Sequence, residues 1–591
     1  MMTTSTSDIF QKPTELKLDK LSFCPSTVKG LQEWLANLSI LQLGDSSRSL
    51  FQALLEVSEL QVSETLRFDL VQVLHPNLEN VLTSLEKHFF NQGLITTDRN
   101  DHIIELALLM RSHFAKVYID IAKRVSQQIT QNKFSLFAFN QKKNLQTART
   151  VSSYYALQQL SLLLYQQHLL YSSPIPGQWL AAHQLLDSAI QNNFYLTNIN
   201  QIQGTQHQLN NISQAYAQLI LLDIFNTHQI RPGEIQGLFL CSFDWAKLIQ
   251  ILPKETTLSR YIVDASKDYP PTYNSQKNSH IQPNIFISTQ ALLDHLSEMQ
   301  TKRAEPLSRD EKIFLTPALH FHIHNLLTNN IERKHERYEY SAQLQICFGL
   351  SVAHFYLSKG KNFNETLELE GNYNFQNESH VINSMNSNIP VETSSARMID
   401  RESKQIYPAE VLDISVNGYR IRWTGPTPAH LKTGEFILVQ ENAHSQWRGG
   451  VIRWIKQSSE KSLELGLEIL AQDLFPCAVM VKTDRTTQNY QPALLVQTSQ
   501  LDEVQTSLIV PGSNMYREKQ TIHLRLGDED LKIYLVKAHL ITQSFIRFDY
   551  ELLNDQQEPL VQSFIQKQMN AIKNHDLWEA LKCEIHYYLK S

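Results

Sequence analysis

The chain has 591 residues, of which 42% are hydrophobic and 19% are charged, so it can bury a sizeable core and is not intrinsically disordered. Its 53 Lys and Arg against 59 Asp and Glu give a formal net charge of −6, which provides no electrostatic basis for non-specific nucleic-acid binding. The chain contains 18 glycines, about 3% against a usual share of about 7%, so a uniformly β-stranded chain is excluded.

Cysteine usage and the lack of targeting segments predict a cytoplasmic protein. The five cysteines are far apart and form no C-x-x-C pair, which is typical of reduced thiols. The first twenty residues lack a basic region followed by an apolar core. No run reaches the length of about 18 apolar residues that a membrane span needs.

The first 255 residues are predicted to form a helical region of one or two subdomains, because apolar residues recur at spacings of three and four. Pro174, Pro176 and the Arg231–Gly233 turn separate helices, which favours a bundle or an irregular solenoid without a fixed repeat. The helices are expected at Leu31–Leu41, Leu50–Leu60, Leu66–Leu85, His102–Ile129, Val151–Tyr171, Gln178–Gln191, Ala215–Asn226 and Ile235–Leu252. The Leu/Tyr stripe over Tyr154–Tyr171 is expected to be core.

Residues 256–330 read as a mixed connecting segment, with a strand at Tyr261–Asp264 and helices at Thr289–Thr301 and Lys312–Asn329. The last of these carries an H-x-H-x-H run, whose members are His320, His322 and His324. On a helix only His320 and His324 share a face, and no nearby Cys or carboxylate completes a ligand set. We therefore expect no metal site.

After residue 400 the hydrophobic period becomes two, which predicts short antiparallel strands. Six of the 18 glycines lie between Gly418 and Gly466, where turns between strands are expected. These patterns predict a small β-barrel over residues 331–482, with an Asn-rich insertion at 360–395. A second β domain at 486–591 ends in an amphipathic helix over Glu558–Leu589, and the sequence leaves open whether that domain is another barrel.

Two motifs in the first barrel carry binding chemistry. Asp413-Ile-Ser415-Val-Asn-Gly418 is a D-x-S-x-x-G at a strand end, where Asp and Ser can hydrogen-bond a purine edge. Its glycine permits either a positive φ or the close approach of a flat ligand, although the same residues also make plain hairpin turns. Arg333 and Arg337 form an R-x-x-x-R, whose guanidiniums can bind phosphate or the guanine O6/N7 edge or can simply be solvated.

Together with the strands that follow, these motifs resemble the PilZ domain family of cyclic di-GMP receptors, from about Arg333 to Met480. The stretches that carry the resemblance are Asp413–Trp423, Leu431–Gly434, Gly449–Trp454 and Leu465–Glu468. The resemblance implies that Arg333, Arg337, Asp413, Ser415 and Gly418 bind cyclic di-GMP.

The sequence departs from the family in spacing, because Arg337 and Asp413 are 76 residues apart, whereas the family places the two motifs much closer. A competing R-x-x-x-R, at Arg397 and Arg401, is nearer to Asp413. We prefer Arg333 and Arg337 because the segment that follows them, Tyr338–Gly349, then supplies the first strand of the barrel. If Arg397 and Arg401 were the motif, residues 402–412 would leave room for only one strand, and the barrel would lack a strand. The Asn-rich insertion absorbs the extra length.

These observations predict a cytoplasmic cyclic di-GMP receptor in which nucleotide binding changes the domain arrangement or the binding of a protein partner through the helical region. The alternative is a helical scaffold whose PilZ-like barrel binds a protein and no nucleotide. No nucleophile with its base and no paired-carboxylate site is recognisable, so an enzyme is not expected. Amphipathic helices at both ends are compatible with a homo-oligomer.

Overall fold

A computed structural model describes residues 9–38, 43–87, 98–131, 139–204, 206–275, 281–301, 303–329, 337–367, 404–415, 417–428, 430–441, 445–458, 462–482, 490–500 and 503–570. The chain divides into two compact units, Met1–Glu332 and Arg333–Ser591. Each unit is described by itself below.

The first unit begins with a long helical region, as its apolar spacing predicts. Its helices are α1 (Val28–Ala36), α2 (Leu43–Glu59), α3 (Glu64–Glu86), α4 (Asp98–Gln131), α5 (Phe139–Leu169), α6 (Gln178–Gln191), α7 (Ile199–Gln203), α8 (Ile212–Ile224) and α9 (Pro232–Trp245). The stripe on α5 is core, since Tyr154, Leu157 and Leu160 are fully buried.

A small antiparallel sheet with three further helices completes the first unit. The sheet contains β1 (Gln250–Leu252), β2 (Tyr261–Val263), β3 (Thr272–Tyr273) and β4 (Ile285–Ser288), in the order β1-β4-β2-β3. The helices are α10 (Gln290–Gln300), α11 (Arg309–Phe314) and α12 (Pro317–Thr328). The predicted helix over Ile235–Leu252 is therefore wrong at its end, because Gln250–Leu252 pairs with β4 instead of continuing α9.

The three histidines of the H-x-H-x-H run lie on helix α12, as expected. His320 and His324 share a face, with ring centroids 6.0 Å apart. The Nε2 atom of His320 lies 3.0 Å from the Leu296 carbonyl oxygen, and that of His322 lies 2.8 Å from the Phe225 carbonyl oxygen. These contacts tie α12 to neighbouring elements of the same unit.

The second unit begins with a closed six-stranded antiparallel barrel, which confirms the fold predicted from the period-two pattern. Its strands are β5 (Tyr338–Phe348), β6 (Tyr407–Ser415), β7 (Gly418–Trp423), β8 (Phe436–Gln440), β9 (Arg448–Gln457) and β10 (Leu463–Ala471). They close in the order β10-β7-β6-β5-β8-β9. Two short helices, α13 (Leu350–Leu357) and α14 (Phe363–Thr366), follow β5. The rest of the Asn-rich insertion lies outside the described residues.

The second β domain is also a closed six-stranded barrel. Its strands are β11 (Asp473–Met480), β12 (Gln491–Gln500), β13 (Glu503–Pro511), β14 (Gln520–Leu526), β15 (Glu529–Ile541) and β16 (Phe545–Leu552). They close in the order β11-β12-β13-β16-β15-β14. Residues 558–570 form the described part of the predicted terminal helix, and Val561 and Ile565 pack into the core of this barrel.

Strand β11 corrects the boundary drawn from the sequence, which placed residues 473–480 in the first barrel. The strand is buried on both faces, so it shows no alternation of apolar and polar residues. Phe475, Cys477 and Val479 belong to the core of the second barrel, whereas Leu474 packs on the opposite side. The first barrel therefore ends with β10, at Ala471.

The two barrels share a hydrophobic core. Its residues come from both barrels and from helix α13, which contributes Leu350, Val352 and Ala353. Within it the rings of Phe436 and Phe545 meet edge to face, with centroids 5.4 Å apart. The two barrels are thus joined by packed side chains as well as by the chain.

Among the residues that the structure describes, no helix is long and apolar enough to cross a membrane. The thiols of Cys24, Cys241, Cys347 and Cys477 are free. Burial raises the pKa of the Cys241 and Cys347 thiols to about 12.

Candidate functional site

The D-x-S-x-x-G motif forms the turn between β6 and β7. Ser415 pairs with Gly418, and Asp413 pairs with Arg420 on the neighbouring strand. Because side chains alternate across a strand, the outer face of this hairpin carries Asp413, Ser415 and Arg420. The motif therefore presents its polar groups on the outside of the barrel.

Arg337 immediately precedes β5 and lies against the same motif. Its Nη1 donates to the Asp413 Oδ1 at 3.0 Å, although the two residues are 76 positions apart. The antiparallel pairing of β5 with β6, in which Glu339 lies opposite Asp413, explains this contact. Barrel closure thus brings Arg337 and Asp413 together.

Three of the candidate arginines lie outside the residues that the structure describes. Arg333 lies just before the described residues that begin at 337, and both Arg397 and Arg401 fall between the described residues 367 and 404. All three stay predictions from the sequence.

Asp413 is the centre of an ion-pair network. Two of its members, Arg420 and Glu464, were not among the residues predicted for the site. The Asp413 Oδ2 accepts from Arg420 Nη1 at 3.2 Å, while Arg420 Nη2 donates to Glu464 at 2.8 Å. The hydrogen bond to Glu464 raises the pKa of Arg420. The signal was available, because the alternation in Tyr419–Trp423 places Arg420 on the outer face beside Asp413.

Gly418 is required for close approach and not for a left-handed backbone. Its φ lies outside the positive range. A Cβ at this position would lie 2.1 Å from the carbonyl oxygen of Leu467, on the neighbouring strand β10. The structure thus gives this glycine a role that the sequence did not indicate, which is the close approach of a neighbouring strand, while the approach of a flat ligand stays a prediction.

We expect Gly418→Ala to lower the free energy of unfolding of the barrel by about 1–3 kcal/mol, since β7 and β10 must separate to admit the methyl group. Gly425→Ala is the matched control, because a Cβ there meets nothing within 4 Å. Chemical denaturation of both variants measures the difference. Equal stability of the two variants would contradict the close-approach role.

In the described part of the chain, the Ser415 hydroxyl makes only a long contact with a neighbouring group. It lies 3.4 Å from the carbonyl oxygen of Gly418, which is long for a hydrogen bond between oxygens. A hydroxyl can both donate and accept, so Ser415 is suited to bind a polar ligand here.

The glycines of the neighbouring strands have physical roles as well. Gly466 on β10 lies beneath the indole of Trp454, whose Nε1 would be 1.9 Å from a Cβ at that position. Gly450 on β9 lies close to the backbone, with the Glu468 carbonyl oxygen 2.7 Å from where its Cβ would be. Close contacts with neighbouring strands and side chains therefore explain why glycine occupies these two positions.

A groove of about 1080 Å³ begins at the motif and runs between the two barrels. From the first barrel it is lined by Ser415, Gly418 and Tyr340, and Tyr340 is 47% exposed. Ligand pockets are commonly about 300–1,000 Å³, so the groove is large enough for a dinucleotide. Of the residues that the sequence predicts for the site, Ser415 and Gly418 line the groove, whereas Asp413, two residues before Ser415 on β6, does not.

Comparisons with known proteins match most of the chain. Residues 29–255 match the family described as "Cyclic-di-GMP receptor FimW, N-terminal domain". Residues 260–389 and 374–476 match "Cyclic-di-GMP receptor FimW, middle PilZ domain", and residues 477–553 match "FimW C-terminal beta-barrel domain".

A relative from Pseudomonas aeruginosa, named "Cyclic-di-GMP receptor FimW", is 26% identical to this chain over 576 residues. The match covers 90% of this chain and 91% of that relative. No solved structure matches the chain significantly.

Proposed function

Because this chain belongs to the PilZ domain family, we propose that it is a receptor that binds cyclic di-GMP at its first barrel. The observation that carries the proposal is the contact between Arg337 and Asp413, on the hairpin whose Ser415 and Gly418 line an open groove. The residues proposed to bind the nucleotide are Arg333, Arg337, Asp413, Ser415 and Gly418.

Arg337 is suited to exchange a carboxylate for the nucleotide. Its side chain is 35% exposed and makes a single-contact ion pair with Asp413. The Asp413 side chain is only 11% exposed, but its second oxygen also pairs with Arg420, so release of Arg337 does not leave an unpaired buried carboxylate. Once released, the guanidinium can bind phosphate or the guanine O6/N7 edge through two parallel hydrogen bonds.

Asp413 keeps its position when Arg337 leaves, because Arg420 still holds its second oxygen. The freed Oδ1 can then accept a hydrogen bond from a guanine N–H. Ser415 adds a hydroxyl to the same edge of the barrel, and Gly418 keeps the turn between β6 and β7 close to β10. The motif thus provides acceptors for the base, and the arginines provide donors.

The proposed output is a change in the binding of a protein partner through the helical region, with no catalytic step. The name shared by the matching families, which is that of a receptor, supports a non-catalytic role. The free thiols favour a cytoplasmic location. A ligand changes such an equilibrium only if it binds two arrangements with different affinities.

Isothermal titration calorimetry of the full-length protein with cyclic di-GMP tests the proposal. We expect saturable heat and a rise in melting temperature that grows with ligand concentration. The absence of both binding heat and a thermal shift at high micromolar nucleotide would rule out the receptor function. That outcome would favour the alternative of a ligand-free barrel that binds a protein.

A further inference from the structure

The second barrel forms the far wall of the groove that begins at the proposed nucleotide site. Strands β12, β13, β15 and β16 all contribute side chains to it. These include Gln497, Ser507, His539, Arg547 and Asp549. The shared core holds both walls in place, so the groove exists before any ligand binds.

Most of the acidic side chains in the groove are already compensated by a neighbouring group. Tyr419 donates to Glu441 at 2.6 Å, and burial raises the pKa of Tyr419 to about 12, which keeps its phenol protonated. The acidic groups of the groove that pair with a basic side chain of the described residues are Glu441 with Arg448, Glu468 with Arg453, and Asp549 with His539.

Arg547 on β16 differs from these groups. Its Nε donates to the Ser507 hydroxyl at 2.8 Å, which fixes the plane of the guanidinium. Within the described parts of the chain it makes no ion pair, and its two Nη groups have no hydrogen-bond acceptor. Burial lowers the pKa of Arg547, while the charges of Asp549 and Glu468 oppose that shift, and an arginine stays charged at neutral pH.

We propose that the second barrel completes the nucleotide site and that the free Nη groups of Arg547 bind the O6/N7 edge of one guanine. This inference rests on the proposed function. A guanidinium fork matches that edge with two hydrogen bonds. The groove also contains the carboxylate of Asp473, for which the described residues provide no ion-pair partner. That charge disfavours a phosphate at this wall and suits the N–H donors of a guanine.

The test compares Arg547→Ala and Arg547→Lys with the wild-type protein by calorimetry with cyclic di-GMP. A bidentate base contact is worth about 1–3 kcal/mol, so Arg547→Ala should weaken binding roughly ten- to hundredfold. Arg547→Lys should be nearly as weak, because an ammonium supplies a point charge without the fork. Arg517→Ala is the control, since this exposed arginine of the same barrel lies outside the groove.

Each outcome decides the inference. Wild-type affinity in Arg547→Ala would overturn it and leave the receptor function standing. Recovery of affinity in Arg547→Lys would also overturn it, since charge alone would then suffice, as at a phosphate. Arg547→Lys keeps the aliphatic stem, so it still decides the question if the alanine variant does not fold. If the wild-type protein did not bind cyclic di-GMP, the proposed function itself would be wrong.

Discussion

The double variant Arg333→Ala, Arg337→Ala is expected to lose cyclic di-GMP binding while the barrel stays folded. A hydrogen bond to a charged group contributes about 1.5–3 kcal/mol, so the loss of two arginines should weaken binding by more than about a hundredfold. The fold should tolerate the change, because Arg337 is partly exposed and Asp413 retains Arg420. Calorimetry measures the binding, and the melting temperature reports the fold.

The matched control is the double variant Arg397→Ala, Arg401→Ala, which removes the competing R-x-x-x-R. We expect it to bind cyclic di-GMP like the wild-type protein, since the contact with Asp413 is made by Arg337. If this variant lost binding and the Arg333/Arg337 variant retained it, our choice of motif would be wrong. Such a result would leave the receptor function intact and assign nucleotide binding to Arg397 and Arg401.

Phe436→Ala should destabilise both barrels, although Phe436 belongs to the first. The ring is fully buried in the shared core and contacts Phe545 of the second barrel. Removal of a buried phenylalanine ring costs about 3–5 kcal/mol. Because the core is common to both barrels, we expect amide hydrogen exchange to accelerate in strands of the second barrel as well as the first.

Phe475→Ala is the matched comparison, since Phe475 is buried in the core of the second barrel alone. If the barrels unfold as one cooperative unit, both variants should accelerate exchange in the same strands. If each variant affected only its own barrel, the shared core would not couple them. Mass spectrometry of the exchanged protein distinguishes the two outcomes.

The joined barrels also affect which structural change nucleotide binding is expected to cause in the second unit. A ligand in the groove would contact two walls that the shared core already holds together. Within the second unit, binding is then expected to order side chains such as Arg337 more than to move one barrel against the other. This expectation differs from the reorientation of neighbouring domains that the sequence alone suggested, and the hydrogen-exchange experiment can test it with added nucleotide.

Local patterns were sufficient for most secondary structure. The spacing of apolar residues predicted helices such as α5 and α6, because a helix that packs on a core repeats its apolar face every three to four residues. Alternation in Tyr419–Trp423 predicted a strand with buried Tyr419, Ile421 and Trp423 for the equivalent reason. The pattern failed at β11, because a strand buried on both faces needs no polar side.

The candidate site was predictable only in its residue types. The sequence by itself determined two arginine motifs, an acidic strand end and the glycine crowding between Gly418 and Gly466. Only the tertiary structure decided that Arg337 contacts Asp413, that Gly418 is required by the Leu467 carbonyl, and that a second barrel faces the groove. The physical reason is that barrel closure and the shared core join segments far apart in the chain, and no local period records such contacts.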